Sequence, residues 1–522
     1  MIIYLKYWYI YLIFLLLAPI LNCIYAITLL YNKIKSLKYT KNNAILLNNN
    51  INIKSLIIFV PCYNETLDEL ISTFDSIYEQ ENIKDNKKLL IIMCDGKIKN
   101  TDSVETTDKL LTEYIFRNYI NNTYNIKDAY KTWDNYWENL EIYCGKKNNL
   151  DFMIIIKSKN YGKRDSLTLL RKLTYNYKYN VKSEYINQSL DKIITNEFNI
   201  VFNKNIDYIY GTDADTVLDK NCIYNLIKKM SITDSDTVAI VGFVDVNIKN
   251  KNPLILYQFT EYIYAQCLRR KFQSEVTYKV NCLSGCNQLI KICKETCGED
   301  ILNLFNKKPN ENDNIFNMIL TSASEDRNHV TLMFKLYPNI KTIQDLDAIV
   351  YTNVPQTLKK FLIQRKRWIL GALCNDILLI LNRKHNIIER IQSAINVFVN
   401  IINIYILITA GYFIHAIIYN SSIIMLYLSI LLFIIIGHIL VTPLFYYKIK
   451  NNRIIWYYLG ILIYLTLSPL LSLAQHIYTI KNLDNFNWNK KDINKDINKD
   501  INNNKVITNV RILHDTIIET II

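Results

Sequence analysis

Four long apolar stretches near the two ends of the chain constrain its fold more than any other feature. Residues 7–31 contain no charged side chain, and residues 395–418, 422–447 and 454–478 are three further apolar stretches. Each is long enough to cross a hydrocarbon core, which needs about 20 apolar residues. A cleaved signal peptide is the alternative for the first stretch, but its apolar core would be only about 7–15 residues long. We therefore predict four membrane helices.

Basic residues beside these stretches indicate the orientation of the chain. Four lysines between residues 33 and 41 follow the first stretch, whereas only Lys6 precedes it. The positive-inside tendency therefore places the long middle region in the cytosol. We expect an integral, multi-pass protein of the plasma membrane that contacts the lipid bilayer. The side on which the polar tail at 481–522 lies stays open.

Charge and cysteine usage exclude several classes of protein. The net charge is +14, but much of the positive charge flanks the apolar stretches, so no nucleic-acid partner is expected. A cytosolic middle region predicts free thiols among the 11 cysteines. A zinc site is the alternative for the cysteines at 282, 286, 293 and 297, but their CxxxC spacing is not the usual one. We therefore predict buried or turn thiols.

Strand-like and helix-like patterns alternate in the middle region. Residues 55–65 read SLIIFVPCYNE, an apolar β-branched run, and apolar side chains then recur at helical spacing over 67–77. Thr66 and Glu69 have the spacing of a capping box, which supports the helix start. The same order of strand and helix recurs at three later places. We therefore predict an α/β domain with a mostly parallel open sheet.

Polar side chains collect where four of the predicted strands end. They are Glu65, then Asp95, then Lys163 and Arg164, and then Asp213 and Asp215. Ligands of parallel sheets bind beyond the carboxyl ends of the strands, so these side chains predict a ligand site. Each of them, taken singly, could be an ordinary loop residue.

The triplet Asp213-Ala214-Asp215 favours a hard divalent cation. Carboxylates at positions i and i+2 of an ending strand point to the same side. Mg²⁺ or Mn²⁺ bound there would keep coordination positions for phosphate oxygens and water. Together with Lys163 or Arg164, such an ion could neutralise a departing diphosphate. The common ATPase and dinucleotide fingerprints, GxxxxGK[ST] and GxGxxG after the first strand, are absent from the sequence.

Six motifs along residues 55–376 carry a resemblance to a known family. They are VPCYNE at 60–65, YGKRDS at 161–166, DAD at 213–215, CLSGC at 282–286, SEDR at 324–327 and QRKRW at 364–368. In this order they resemble chitin synthases, within the processive family-2 glycosyltransferases. Two positions depart from the family: Ser324 stands where glycine is frequent, and Lys366 stands where arginine is usual.

The resemblance implies a cytosolic GT-A-type α/β domain at 45–368. This domain would transfer N-acetylglucosamine from UDP-N-acetylglucosamine to a growing β-1,4 chitin chain with inversion, aided by Mg²⁺ or Mn²⁺. The other predicted parts are a membrane helix with a basic segment at 1–44, interfacial amphipathic helices at 369–394, three membrane helices at 395–480 and a polar, solvated tail at 481–522. Because three C-terminal helices are few for exporting a polymer, a homodimer or another partner could contribute to the pore.

The resemblance also implies a role for each motif residue. Asp326 would be the catalytic base that takes the proton from the acceptor hydroxyl, and Asp215 would hold the metal. The implied donor-binding residues are Glu65, Asp95, Lys163, Arg164, Asp213, Gln364 and Arg367. The implied acceptor-binding residues are Cys286, Glu325 and Trp368. Among these, Asp95 would contact uridine, and Trp368 would form a platform under the acceptor sugar.

The residue types alone leave alternatives open. A carboxylate at Asp326 suits general-base chemistry, and Ser324 is a plausible cap for the helix that begins there. Equally, Glu325 and Asp326 could merely complement the helix dipole. Trp368 could instead anchor an interfacial helix, and the basic residues before it could contact anionic lipid. A hyaluronan- or cellulose-like synthase, or an inactive membrane scaffold, would share much of this pattern.

Overall fold

The computed structural model describes residues 8–43, 54–100, 103, 105–248, 251–308, 313–402, 437, 439–440, 442 and 451–483. These residues form two compact units. The first, called here the helical unit, contains the N-terminal helix together with Asp245–Val280 and Val354–Leu483. The second, called the α/β unit, contains the residues between 54 and 244 and those of Asn281–Asn353. Each unit is described by itself.

One mixed sheet forms the centre of the α/β unit. The strands are β1 Leu56–Cys62, β2 Lys88–Cys94, β3 Ile120–Lys131, β4 Trp137–Lys147, β5 Leu150–Lys157, β6 Tyr208–Gly211, β7 Thr216–Leu218, β8 Thr237–Val246, β9 Gln288–Lys291 and β10 Lys341–Thr352. Their order across the sheet is β3-β4-β5-β2-β1-β6-β9-β8-β10-β7.

The sheet is parallel only at its centre. Strands β5, β2, β1 and β6 run parallel, whereas β3 with β4, β4 with β5, β6 with β9, β8 with β9 and β7 with β10 pair antiparallel. The prediction of an α/β fold is confirmed, but the prediction of a mostly parallel sheet is wrong. The predicted strands were those with the continuous apolar runs that are typical of buried parallel strands. The half-exposed hairpin of β3 and β4 and the strands β7, β8 and β10 were not predicted, and most of the antiparallel pairs involve these strands.

The helices differ in which unit they belong to. The helices of the α/β unit are α2 Leu67–Tyr78, α3 Lys163–Tyr179, α4 Gln188–Phe202, α5 Cys222–Ser231, α7 Glu299–Phe305, α8 Ile315–Ser322 and α9 Glu325–Leu336. Those of the helical unit are α1 Trp8–Asn43, α6 Pro253–Tyr264, α10 Leu358–Leu381, α11 Ile387–Ile402 and α12 Asn451–Lys481. Short helical turns of three to six residues lie at Thr107–Lys109, Leu110–Ile115, Arg117–Tyr119, Ala265–Arg270, Gln273–Thr277 and Lys294–Cys297.

Helix α2 begins as the sequence predicts. Thr66 accepts a hydrogen bond from the backbone N–H of Glu69, whose carboxylate accepts from the Thr66 N–H at 2.9 Å. This is a capping box. Further along α2, the buried Thr73 hydroxyl donates to the Ala214 carbonyl at 2.8 Å. Helix α2 therefore holds the middle residue of the predicted metal-binding triplet in place.

The predicted membrane helices are described only in part. Helix α1 contains residues 8–31 of the first apolar stretch, and α12 contains the whole of 454–478. Within the described part of the chain, Arg453–Lys481 is the one helix long and apolar enough to cross a membrane. Most of 395–418 and 422–447, and the tail from 484 onward, lie outside the described residues.

The boundaries read from sequence differ from the observed units. Residues 245–280, expected inside the glycosyltransferase-like domain, belong to the helical unit, where Tyr257 of α6 stacks on Tyr464 of α12 with ring centroids 5.1 Å apart. The expected boundary at 368 falls inside α10, and the one at 394 falls inside α11. Local periodicity predicts a helix but not the element against which that helix packs. The sequence therefore does not indicate that residues 245–280 leave the α/β unit and join the helical unit.

Candidate active site

The polar strand ends meet at one edge of the sheet, as their pattern predicts. Strands β1 and β2 are in register from Leu56 opposite Lys88 to Cys62 opposite Cys94, so both end at the same level. Strands β5 and β6 flank this pair in parallel. Glu65, Asp95 and Asp213 lie in the loops that follow β1, β2 and β6, and Lys163 begins the helix that comes after β5. Parallel register thus brings together side chains that are far apart in sequence.

Lys163 lies at the centre of the candidate site. Its ammonium is 2.7 Å from a carboxylate oxygen of Asp213 and 3.5 Å from one of Glu325. The Lys163 side chain is only 17% exposed. The charges of Asp213, Asp326 and Glu325 raise the pKa of Lys163 although burial acts in the opposite direction. One cation therefore offsets three carboxylates that come from two distant segments.

Asp326 is held beside this ion pair by a glycine. The Gly285 N–H donates to Asp326 Oδ2 at 2.8 Å, and Oδ1 is buried without a hydrogen-bond partner among the described residues. A Cβ at Gly285 would lie 2.9 Å from both Asp326 Oδ1 and the Lys163 ammonium. Desolvation, reinforced by the charge of Glu325, raises the pKa of Asp326 to about 7. The carboxylate therefore titrates near neutral pH, as a general base should.

Ser324 does not cap helix α9 as the sequence suggests. Its side chain makes no capping hydrogen bond, and its backbone is left-handed, with φ 50° and ψ 56°. Left-handed backbone at a residue with a Cβ is costly, and glycine adopts it freely. This explains physically why glycine suits the position, and the prediction of a serine cap is wrong.

Two more carboxylates of the site have raised pKa values. Burial, with the charge of Asp215 among the lesser causes, raises the pKa of Glu65 to about 7, and Glu65 accepts a hydrogen bond from the Tyr63 N–H at 2.7 Å. Asp215 is open to solvent, yet the surrounding protein partly desolvates its carboxylate. This desolvation, together with the charge of Asp213, raises the pKa of Asp215 to about 6. Both carboxylates are therefore poised to gain from a nearby cation.

The described residues do not contain a complete metal site. No group of three or more His, Cys, Asp or Glu side chains in the described ranges could hold a metal ion. Asp213 is already paired with Lys163, which leaves Asp215 as the open carboxylate. This fits a cation that takes one or two protein carboxylates and completes its coordination with phosphate oxygens and water. It does not fit a structural metal.

Asp95 is engaged with the protein interior. Its carboxylate accepts from the Tyr161 N–H at 3.1 Å and the Gly162 N–H at 2.6 Å, and it lies 3.2 Å from the ammonium of Lys157. Lys157 is fully buried and also pairs with Asp165 at 2.7 Å. In this structure Asp95 therefore fixes the loop that leads into Lys163.

Arg164 points away from the other strand-end residues. Its guanidinium donates to the carbonyls of Phe305 and Leu320 and to the side chain of Asn328, each at 2.9 Å. The residue is 6% exposed. Because these bonds use the donors that a diphosphate would need, the geometry gives Arg164 a structural role that ties α3 to α9.

Cys286 lies close to the charged cluster, and the other three cysteines of the CxxxC series do not form a metal site. Desolvation, followed by the charge of Asp213, raises the pKa of the Cys286 thiol well above its usual value. Each of these cysteines is a free thiol. Cys297 is buried, and Cys282, Cys286 and Cys293 are partly buried.

The QRKRW motif lies on α10 in the helical unit. Arg367 and Trp368 come three and four residues after Gln364, so each of them neighbours Gln364 on the surface of the helix. Trp368 is 40% exposed. Arg365 lies between two rings, with its guanidinium carbon 4.1 Å from the centroid of Trp368 and 5.0 Å from that of Phe361.

The remaining basic residues of the motif are not free for lipid. Arg365 is 2% exposed and forms a short ion pair with Glu261. The Lys366 ammonium donates to the Asn482 carbonyl at 2.7 Å. Both side chains therefore serve packing inside the helical unit, and the anionic-lipid reading does not apply to them.

Sequence reasoning missed several residues around the site. Lys157, Asp165, Tyr130 and Glu138 are buried and hydrogen-bonded around the loop before α3. A lysine that ends the buried run LDFMIIIK was the one visible signal, because a charge there needs a partner. Glu138 gave no local signal.

Comparisons with known proteins identify relatives of this chain. A family model described as "Chitin synthase" matches residues 28–134 and 140–515. Chitin synthase 8 of Gibberella zeae is 35% identical over 351 residues, which cover 66% of this chain and 52% of that protein. Chitin synthase 8 of Verticillium dahliae is 32% identical over 429 residues, which cover 76% of this chain and 68% of that protein. The chain thus spans about half the length of the first relative.

Solved structures resemble the chain only loosely. A mannosyltransferase from Pyrobaculum calidifontis, in complex with GDP-Man and Mn²⁺, superposes with a TM-score of 0.42 at 14% identity, over 90% of this chain and 99% of that chain. A likeness of this degree says nothing about the ligands of the present chain.

Replacing Arg365 tests its packing role. In Arg365→Met the Glu261 carboxylate loses its cation and Trp368 loses its neighbour, so we expect a loss of stability on the order of 2 kcal/mol. Thermal unfolding of the detergent-solubilised protein measures this loss. The double variant Glu261→Gln/Arg365→Met should recover part of it, and Lys360→Met on the same helix is the control. An unchanged melting temperature in Arg365→Met would contradict the packing role.

Proposed function

Because the chain belongs to the chitin synthase family, we propose that it is a membrane-bound glycosyltransferase that makes chitin. It polymerises N-acetylglucosamine from UDP-N-acetylglucosamine into a β-1,4 chain by inverting transfer, on an α/β unit of the GT-A type. The observation that carries the proposal is the cluster in which Lys163 joins Asp213 and Glu325 beside Asp326, whose pKa is near neutral. An inactive scaffold would have no need to bury these opposed charges together.

The donor end of the site consists of the strand-end residues. Lys163 offers a cation at the place where a diphosphate would arrive, and Asp213 keeps that cation oriented. Glu65 and Asp95 follow the ends of the two neighbouring strands. Asp95 keeps the uridine contact that the family resemblance implies, at the edge of the loop that it holds. Gln364 and Arg367 keep the diphosphate role that the family resemblance implies.

A divalent cation fits the open carboxylate of Asp215. Asp215, with Asp213 as second carboxylate, would hold Mg²⁺ or Mn²⁺ together with the donor's phosphate oxygens. When bound, the ion supplies charge neutralisation for the departing diphosphate. Lys163 supplies the same kind of stabilisation from the protein itself.

Asp326 performs the proton transfer. Its unprotonated carboxylate accepts the proton of the acceptor hydroxyl while that oxygen forms a bond to C1 of the donor sugar. The bond between C1 and the diphosphate oxygen breaks, its electron pair leaves with UDP, and the configuration at C1 inverts. Glu325 and Cys286 would contact the acceptor, and Trp368 is the proposed platform for the acceptor sugar. General-base assistance of this kind typically contributes about 10²–10⁴-fold in rate.

The membrane part would export the product. The helix at Arg453–Lys481 can cross a membrane by length and composition. We propose that it acts with the other apolar stretches as a multi-pass anchor in the plasma membrane. The anchor would deliver the growing chain across the bilayer, with a homodimer as the working assembly.

The direct test is label transfer by detergent-solubilised protein. We expect incorporation from UDP-N-acetylglucosamine, and not from UDP-glucose or UDP-glucuronate, into product that chitinase digests. Asp326→Asn should abolish transfer but bind UDP nearly as wild type, whereas Asp215→Asn should weaken the metal-dependent part of UDP binding. Incorporation from another donor would identify a different β-glycan synthase. Folded protein that transfers from no donor would favour the scaffold.

The pH dependence reports the pKa of Asp326. That pKa is raised to about 7, so the base is present above pH 7, and kcat/KM should fall about tenfold per pH unit below it. Glu325→Gln removes a carboxylate that raises this pKa, so the falling limb should move to lower pH. Asp300→Asn, at a carboxylate that is 63% exposed, is the control and should leave the limb in place. If the limb does not move in Glu325→Gln, then it does not report the titration of Asp326.

Gly285→Ala tests the close approach of Asp326 and Lys163. The new Cβ would lie 2.9 Å from both functional groups, and these are the free ends of side chains, so they shift while the fold persists. We expect transfer to fall at least tenfold with a melting temperature within a few degrees of wild type. Gly211→Ala, whose Cβ would meet the Gln288 side chain at 3.3 Å, should cost less than threefold. Unchanged transfer in Gly285→Ala would refute the proposed arrangement.

A further inference from the structure

A short loop before Lys163 is held by carboxylates on two sides. This β5–α3 loop comprises residues 158–162, between the end of β5 and the start of α3. On one side Glu138 of β4, which is 3% exposed, accepts from the Ser158 N–H at 2.7 Å and the Lys159 N–H at 3.2 Å. Its second oxygen accepts from the Tyr161 hydroxyl at 2.9 Å. One buried side chain thus binds three of the five loop residues, Ser158, Lys159 and Tyr161.

The second side of the loop is bound by Asp95. That carboxylate accepts from the Tyr161 and Gly162 N–H groups. It is oriented in turn by the buried ammonium of Lys157, which also contacts Asp165 in the first turn of α3. The loop therefore has a carboxylate on each side.

The loop needs these bonds because of its conformation. Gly162 has φ 92° and precedes Lys163 directly, so the backbone turns sharply at the entry to α3. A glycine has many backbone conformations open to it, so the surrounding hydrogen bonds have to select this one. Removing the Glu138 carboxylate should therefore loosen the segment that positions the Lys163 ammonium.

We propose that Glu138 is a positioning residue for the donor diphosphate, acting through the β5–α3 loop on Lys163. The inference rests on the proposed function and adds a residue to its donor site. Glu138 lies in residues 135–139, between the two segments matched by the family model, so the family match places no expectation on it. Glu138 does not touch the donor. It holds the Lys163 ammonium in its binding position before the donor arrives, so less conformational entropy is lost on binding.

Titration of full-length protein in detergent with UDP tests this role. Glu138→Ala should weaken UDP binding at least tenfold, and the nearly isosteric Glu138→Gln should remain within about threefold of wild type. Glu141→Ala is the matched control, because Glu141 lies on the same strand and pairs with Lys97 instead of the loop. It should bind UDP as wild type does.

A double-variant cycle separates positioning from general destabilisation. If Glu138 acts through Lys163, Glu138→Ala should weaken UDP binding less than twofold in a Lys163→Met background. A full tenfold loss in that background, or wild-type affinity of folded Glu138→Ala, would overturn the inference. If Glu138→Ala does not fold, Glu138→Asp decides in the same way, because its shorter side chain cannot reach both Ser158 and Tyr161. A wild-type chain that does not bind UDP would overturn the proposed function, and this inference with it.

Discussion

The candidate site depends on one lysine ammonium that offsets several carboxylates. Like charges that are brought close together repel each other, and the more so where water is partly excluded. Lys163 relieves this repulsion between Asp213 and Glu325 and lowers the pKa of the neighbouring Asp326 against the effect of burial. Without that cation the three carboxylates would not share one cleft in their charged form. The position of α3, whose first residue is Lys163, is therefore decisive.

A second, fully buried cation supports the first from behind. Lys157 is 0% exposed and binds Asp95, Asp165 and the Ser166 hydroxyl, so all three of its donors are satisfied. Buried ion pairs of this kind add little net stability, because desolvation offsets the attraction. Their value here is geometric: Asp95 and Asp165 fix the two ends of the turn into α3. The buried contacts of Lys157 therefore help to position Lys163 and the carboxylates around it.

The local features of the fold were predictable and the pairing was not. Thr66 and Glu69 predicted the start of α2 because a capping box involves residues three apart. The apolar runs of β1 and β2 predicted buried parallel strands, and the polar residues after them predicted the site edge. The hairpin of β3 and β4 was missed, because its exposed faces carry polar residues. Glu138 lies in this hairpin and was missed for the same reason. Its partner Ser158 lies in the β5–α3 loop, 20 residues away in sequence.

By itself the sequence determined the chemistry of the protein: its carboxylates, its lysines, the order of its motifs and the apolar stretches at its ends. Residue type and short-range spacing carry that information, so it survives without coordinates. The tertiary structure alone decided which charged groups pair with each other and which already have hydrogen-bond partners inside the protein. In the folded chain Arg164 is buried and bonded to backbone carbonyls, Asp95 accepts hydrogen bonds from the loop before α3, and Ser324 has a left-handed backbone. These outcomes depend on contacts between residues distant in sequence, and burial, which sets the strength of each charge, exists only after the chain has packed.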